Sequence, residues 1–382
     1  MIVSRLILKN WRNFRSADVD LGSRVFLLGP NASGKSNFLE VFRFLRDIAK
    51  QGGGLQKALS ERGGLSKVRC LGARRYPNVE IEVHLAESEG RPATWRYAVG
   101  IKQEARGHRQ ACLDYERVWK GEKQIVNRPE SADLDDPQRL TQTYLEQINA
   151  NAPFREVARF LESILYLHLV PQVLRHPDSF SGPEISGDPF GRNFLERVAR
   201  TPGKTRDSRL RRIETALRLA VPQLKDLAFT RDGRGVPHLE AVHRHWRPKA
   251  GKQREDQFSD GTLRLIGLLW SLLEGDSPLL LEEPELSLHS AIVTQLPPMI
   301  HRIQRQKRRQ ILISTHSPDL LSDRGIGGGE ALLLIPGAEG TEVALATSLR
   351  EVRDLLDAGL SIADAALPHT AHPEMKQLSF LE

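Results

Sequence analysis

The sequence predicts an α/β fold, in which a mixed, largely parallel core sheet carries an antiparallel β lobe and an inserted helical lobe. Three observations predict it. A short apolar run at 24–28 enters a glycine-rich turn and leaves it as a helical pattern over 35–50, the strand–loop–helix unit of parallel sheets. From 258 onward helices and strands alternate: helix 262–273, strand 278–282, helix 288–306, strand 310–314, short helix 318–322 and strand 330–335. Between these two halves, 79–85 alternates cleanly between apolar and polar residues, and 94–102 and 111–119 do much the same, which is the pattern of half-buried antiparallel strands.

The remaining elements follow in order. Residues 2–8 and 17–21 read as a strand pair ahead of 24–28, and Gly52, Gly53 and Gly54 stop the first helix. Residues 55–78 read as mixed and loop-rich, and 129–136 as a polar surface loop. Helical patterns occupy 137–149 and 153–164, a strand 165–170, a Gly- and Pro-bearing loop 175–192, helices 192–200 and 206–220, and a strand 236–245. A charged loop covers 247–256, a helix 349–366, and a loose tail follows Pro368. The organisation expected is an N-terminal lobe over 1–125, a helical insertion over 126–250 and a C-terminal lobe over 251–382. No repeat or sustained heptad is visible.

Composition narrows the class. Fifty-five basic against 48 acidic residues leave a net charge of +7, a modest excess that fits contact with nucleic acid or another polyanion. Cys70 and Cys112 stand far apart with no metal-ligand spacing and read as buried free thiols, so a reducing cytoplasm is expected. The opening 1–9 is a strand with an early charge rather than an apolar leader, and no run is long enough to span a bilayer.

The chemistry starts at Gly29, Pro30, Asn31, Ala32, Ser33, Gly34, Lys35 and Ser36, which fit the phosphate-loop pattern G-x-x-x-x-G-K-[ST] at every fixed position. Polyphosphate needs clustered backbone N–H donors, and a glycine-rich turn at a helix N-terminus supplies them. Lys35 then reaches the terminal phosphates, Ser36 is placed to ligate Mg2+, and Asn37 continues the helix start. A second apolar run, 278–281, delivers Glu282 and Glu283 at its C-terminal end, where open α/β sheets hold ligands. Glu282 is expected on Mg2+ and Glu283 on the attacking water. A third run, 311–315, ends at His316, placed to sense the γ-phosphate and position the water. Finally, Ser259 N-caps the helix after it, with Asp260, Gly261 and Thr262 at its start, and Gly261 allows close backbone approach.

In this order the four segments resemble the ABC-type ATPase heads of the SMC, RecF and OLD group. The stretches 258–262, 281–286 with His289 after it, and 314–318 look most like stand-alone AAA ATPases, OLD-like heads without a TOPRIM domain. The opening 8–15 resembles the start of these heads and implies nucleotide contact for Arg12. The resemblance covers nearly the whole chain and is most specific over 1–45 and 258–322. It implies ATP hydrolysis with Mg2+ by two heads packed head-to-tail, Ser259, Asp260, Gly261 and Thr262 of one copy meeting the ATP of the other. It also implies a turn around Ser287–His289 that follows the carboxylates, and a glutamine near the metal, for which Gln172 is the candidate. Residues 259–262, which the resemblance makes the signature of such a head, depart from the transporter form, and Glu282 replaces the more usual aspartate, both as in the OLD-like group.

Three functional classes separate here. A switch acting on or near DNA, in anti-phage defence or repair, would use basic clusters at 67–75, 200–212, 244–254 and 302–309 on phosphates. About 47 residues follow residue 335, too few for an appended nuclease domain, so cleavage would need an effector or nuclease subunit in trans. A RecF-like repair ATPase without an effector is the alternative. A transporter ATPase is disfavoured by the signature, and a coiled-coil chromosome organiser by the missing heptads.

Overall fold

The computed structural model describes residues 1–73, 77–104, 110–177, 187–243 and 251–370. Strand β1 (Ile2–Trp11) folds back on β2 (Phe14–Asp20), and β3 (Arg24–Leu28) then enters a second sheet. Strands β4 (Val79–Ala86), β5 (Ala93–Gln103), β6 (Ala111–Lys120) and β7 (Lys123–Arg128) extend the first sheet in the order β2-β1-β4-β5-β6-β7, antiparallel throughout. Strand β8 (Leu165–Leu167) returns to the second sheet. Strands β9 (Leu224–Arg231), β10 (Pro237–His243) and β11 (Lys252–Arg254) make a small antiparallel sheet. Strands β12 (Leu279–Glu282), β13 (Ile311–Thr315), β14 (Ala331–Gly337) and β15 (Gly340–Leu345) complete the core sheet, β15-β14-β3-β13-β12-β8, parallel except for the β14–β15 hairpin.

The core strands are apolar on both faces because both are covered, as parallel sheets require. Alternate residues go opposite ways. Leu27, Leu280 and Leu312 join Phe38 and Phe42 of the helix Lys35–Ala49 and the inner face of the antiparallel sheet. Phe26, Leu28, Leu281 and Ile313 join Trp270 of the helix Asp260–Leu273 and Leu217 of the helix Gly203–Ala220. The sheet therefore sits between the phosphate-loop helix and the signature helix, and its strand ends carry the candidate site residues Glu282 and His316.

Several expected elements differ, each for a visible reason. The helix expected over 288–306 is two, Ser290–Val293 and Leu296–Lys307, because Pro297 and Pro298 fit only the first turn of a new helix. The helix over 349–366 divides into Arg350–Asp357 and Ile362–Ala366 around Gly359 at φ +87°. Only a short 3-10 turn, Pro137–Thr141, starts the pattern read over 137–149. Beyond it the backbone N–H groups of Tyr144 and Leu145 donate to Glu116, a buried carboxylate that also holds Arg128 (3.1 Å), so tertiary hydrogen bonds replace helical ones. The loop at 129–136 contains the helix Ser131–Asp135, and 55–78 contains the helices Leu55–Ser60 and Leu65–Val68. The strand read over 165–170 stops at Leu167. Strands β7, β9, β11 and β15 had no counterpart among the expected elements. Residues 178–186 of the expected loop, 244–250 of the strand end and charged loop, and the tail from 371 lie outside the described residues.

Candidate functional site

Strand β3 delivers the phosphate loop. Gly34 takes φ +100°, and a Cβ there would stand 2.1 Å from Asn13 Nδ2, so only glycine fits. The helix Lys35–Ala49 starts without a side-chain cap and without an acidic residue in its first turn, which leaves its N–H groups and positive dipole end free of a competing carboxylate. Lys35, 7% exposed, donates to the carbonyls of Gly29 (2.9 Å) and Pro30 (3.1 Å). Burial lowers its pKa, while Glu283, Glu282 and Glu285 pull the other way. The Ser33 hydroxyl is buried and has no hydrogen-bond partner among the described residues. An unpaired cradle hydroxyl, a compacted lysine and an uncapped helix end are a donor set that suits phosphate.

Two hairpins brace this loop from behind. Asn13 Nδ2 donates to Ser33 O (2.8 Å) and to the Thr341 hydroxyl (2.7 Å), and Thr341 itself donates to Ser33 O (2.8 Å). Asn37 uses its side chain on Asn13 Oδ1 (2.9 Å) and its carbonyl on Trp11 Nε1 (2.8 Å). Asn13 belongs to the β1–β2 turn and Thr341 to β15, so residues more than 300 positions apart meet at one carbonyl.

The carboxylates arrive on β12. Glu282 accepts hydrogen bonds from the Ser36 hydroxyl on one oxygen and from the Tyr166 hydroxyl on the other. Burial pushes the Glu282 carboxyl above its ordinary pKa; Ser36 works against this and the adjacent Glu283 adds to it. Glu283 follows at φ +43°, its N–H tied to Ser314 O (3.0 Å). This left-handed turn points its carboxylate to His316 Nδ1 (3.0 Å). Glu285 is 7% exposed and accepts from the Thr315 hydroxyl, and burial raises its pKa as well. Arg264, in the helix Asp260–Leu273, is buried near these groups and donates to Glu283 O (3.4 Å).

The signature forms a separate knot. Ser259 accepts from Thr262 N (3.2 Å), the N-cap bond expected. Asp260 is held by Arg175 (2.7 Å) and by Gln172 Nε2 (2.7 Å). A Cβ on Gly261 would lie 2.6 Å from Ser287 O, so the glycine lets the helix rest against the turn after the carboxylates. Ser287 takes φ +63°, and His289 caps the next short helix through Nδ1 (3.2 Å). Among the described residues no hydrogen bond joins 259–262 to 29–37.

Lys35 and Ser36 at the helix start and Glu282, Glu283 and His316 at the strand ends therefore converge, and Gln172 does not join them through its side-chain donor. Expected at the metal, it donates to the signature instead, because the chain turns at Pro171 into the helix Pro171–Arg175 beside Asp260. Arg12 lines a groove of about 470 Å³ with Ser36 and Asn37, its Nη1 on Lys67 O (3.1 Å). Reading from sequence missed Tyr166, Asn13 and Thr341. A phenol in an otherwise apolar strand was the available signal for the first; the other two depend on the unforeseen β15. The basic clusters divide. Arg309 is buried and holds the carbonyls of Ser271, Glu274 and Ser277, and burial lowers its pKa to about 10, so it is structural. Arg212 reaches Gln306 (3.5 Å), which sets 200–212 beside 302–309. Residues 74–75 and 244–250 of the other clusters lie outside the described residues. Cys70 and Cys112 are buried and free, and no described helix is long and apolar enough to cross a membrane.

A phosphate loop, paired strand-end carboxylates and a capped signature helix, on a core sheet flanked by an antiparallel lobe, define an ABC-type ATPase head. The family model AAA_21, described as "AAA domain, putative AbiEii toxin, Type IV TA system", matches residues 24–322, and the chain belongs to that family. Family membership implies a nucleotide. Among solved structures, an SMC head bound to the C-terminal winged-helix domain of ScpA matches with a TM-score of 0.50 at 12% identity, over 90% of this chain and 97% of that one. An SMC head with an extended coiled coil, bound to a ScpA C-terminal domain from Pyrococcus furiosus, matches at 0.50 and 11%, over 92% and 99%. At such identities the likeness is one of fold. No curated protein matches the chain.

Proposed function

We propose that the protein is a switch that binds and hydrolyses ATP and closes as a head-to-tail homodimer over it. The observation that carries this reading is the meeting of Ser36 with Glu282 beside the Glu283–His316 pair, on neighbouring strand ends. Lys35 and the helix N-terminus bind the phosphates of ATP. A hydroxyl and a carboxylate in contact are oxygen donors suited to Mg2+, so Ser36 and Glu282 would hold it, and the ion would offset charge on the phosphate oxygens. Glu283 orients a water and accepts its proton, and His316 holds Glu283 from the exposed side. Ser259, Asp260, Gly261 and Thr262 complete the site of a second copy. Their separation from their own phosphate loop in hydrogen bonding supports that reading.

The three lobes, 1–125, 126–250 and 251–382, divide the work in this proposal: loop, insertion, and signature with carboxylates. The output is control of a separate effector or nuclease subunit in a DNA-linked defence or repair system. The toxin–antitoxin wording of the family description and the ScpA-bound SMC heads both support a head read by a partner protein. The adjoining basic helices favour DNA as a further partner, and the RecF-like alternative would use DNA without an effector. Binding through phosphates falls steeply with salt; a flat response leaves the protein partner alone. Phosphate release tests the enzyme: Glu283→Gln should slow it by about 10²–10⁴-fold, the usual worth of a positioned general base, with ATP still bound. Release at the wild-type rate would overturn the assignment.

A further inference from the structure

Glutamate is longer and freer than aspartate, and the Glu282 carboxylate needs a second anchor to stay at Ser36. We propose that Tyr166 is that anchor, a positioning residue whose hydroxyl fixes Glu282 for the divalent cation. The assignment rests on the nucleotide and Mg2+ reading above.

The backbone places it. Strand β8 runs parallel to β12 with Tyr166 opposite Leu280, so Tyr166 and Glu282 are diagonal neighbours on one face of the sheet. A tyrosine ring spans that diagonal. The hydroxyl donates to one carboxylate oxygen while Ser36 donates to the other, so both oxygens are held. Tyr166 is 5% exposed, in the same apolar cluster as Leu280 and Leu312. Packing alone would be served equally by phenylalanine; the hydroxyl is the part that Glu282 accounts for.

The ring is fixed in turn. The Arg43 guanidinium lies over it at 4.4 Å from the centroid and donates to Glu40 (2.7 Å). Arg43 is seven residues after Ser36, two turns along the same helix face. One helix thus carries the cation-binding hydroxyl and the arginine that covers the tyrosine, and the tyrosine returns to the other cation ligand. Tyr166, Arg43 and Ser36 also line the 470 Å³ groove, which opens this corner to solvent. Groups that orient a metal ligand in this way commonly govern affinity by about 10–100-fold.

The test is Mn2+ binding in the presence of ATP, followed by electron paramagnetic resonance on full-length wild type, Tyr166→Phe, Glu282→Gln and the double variant. Tyr166→Phe should weaken Mn2+ by about 10-fold or more, while in the absence of nucleotide the protein still melts cooperatively with only the small drop in midpoint that loss of one hydrogen bond brings. In the Glu282→Gln background the same change should cost less than twofold, since the anchor has nothing left to hold. A Tyr166→Phe protein within twofold of a wild type that binds Mn2+ overturns the assignment alone, as does an equal loss in both backgrounds. A wild type that takes up no Mn2+ with ATP overturns the assignment and the reading beneath it.

Discussion

Glu283 and Gly261 show how much hangs on single residues. Glu283 sits at φ +43°, a conformation that a glutamate adopts only when its surroundings hold it there. Its N–H bond to Ser314 and its contact with His316 supply that hold. Gly261 is the second residue of the helix Asp260–Leu273, and alanine is ordinarily the better helix former. Here a Cβ would lie 2.6 Å from Ser287 O, so Gly261→Ala should destabilise by about 1–3 kcal/mol instead, read as a lower denaturant midpoint with unchanged slope. Lys35→Ala should abolish nucleotide binding by calorimetry while leaving the fold intact, since its bonds go to two carbonyls of its own loop. The motif residues were legible because phosphate chemistry demands fixed types at fixed spacing. Gln172 and Tyr166 were not: which side chain reaches Glu282 depends on the register of β8 against β12 and on where that strand ends.

Elements carry the next level of organisation. Long, periodic stretches such as 35–50 and 262–273 were legible because an amphipathic or fully buried helix needs no partner to be recognised. Strand β15 was not, since its residues are half-exposed and its pairing is set by β14. That hairpin nevertheless reaches the phosphate loop. Thr341 N–H donates to Asn13 O (2.8 Å), and its hydroxyl bonds both Asn13 and Ser33. Thr341→Val keeps the shape and removes the hydroxyl. It should cost about 1 kcal/mol of stability by thermal melting and weaken ATP binding several-fold, because the loop loses part of its rear support. A change in stability with ATP affinity intact would separate the hairpin from the site.

Across the whole chain, networks of charge pairs contribute to the pH response, and the one around Asp47 reaches the groove through Arg62. Burial pushes Asp47 up, but Arg46, Arg62 and Lys50 outweigh it and hold the carboxyl below its ordinary value of 3.8. Its contribution is therefore present above about pH 4 and lost as pH falls through the lowered folded value. Asp47→Asn should be less stable than wild type near neutrality, and the gap should close in acid, followed by urea midpoints across pH. The same molecule must also close on itself for the proposed switch to work, since the signature of one copy is to meet the ATP of another. Light scattering on Glu283→Gln tests this most directly. A head-to-tail switch gives a monomer mass without nucleotide and a dimer mass with ATP and Mg2+; a monomer in both conditions, with ATP bound, rules it out.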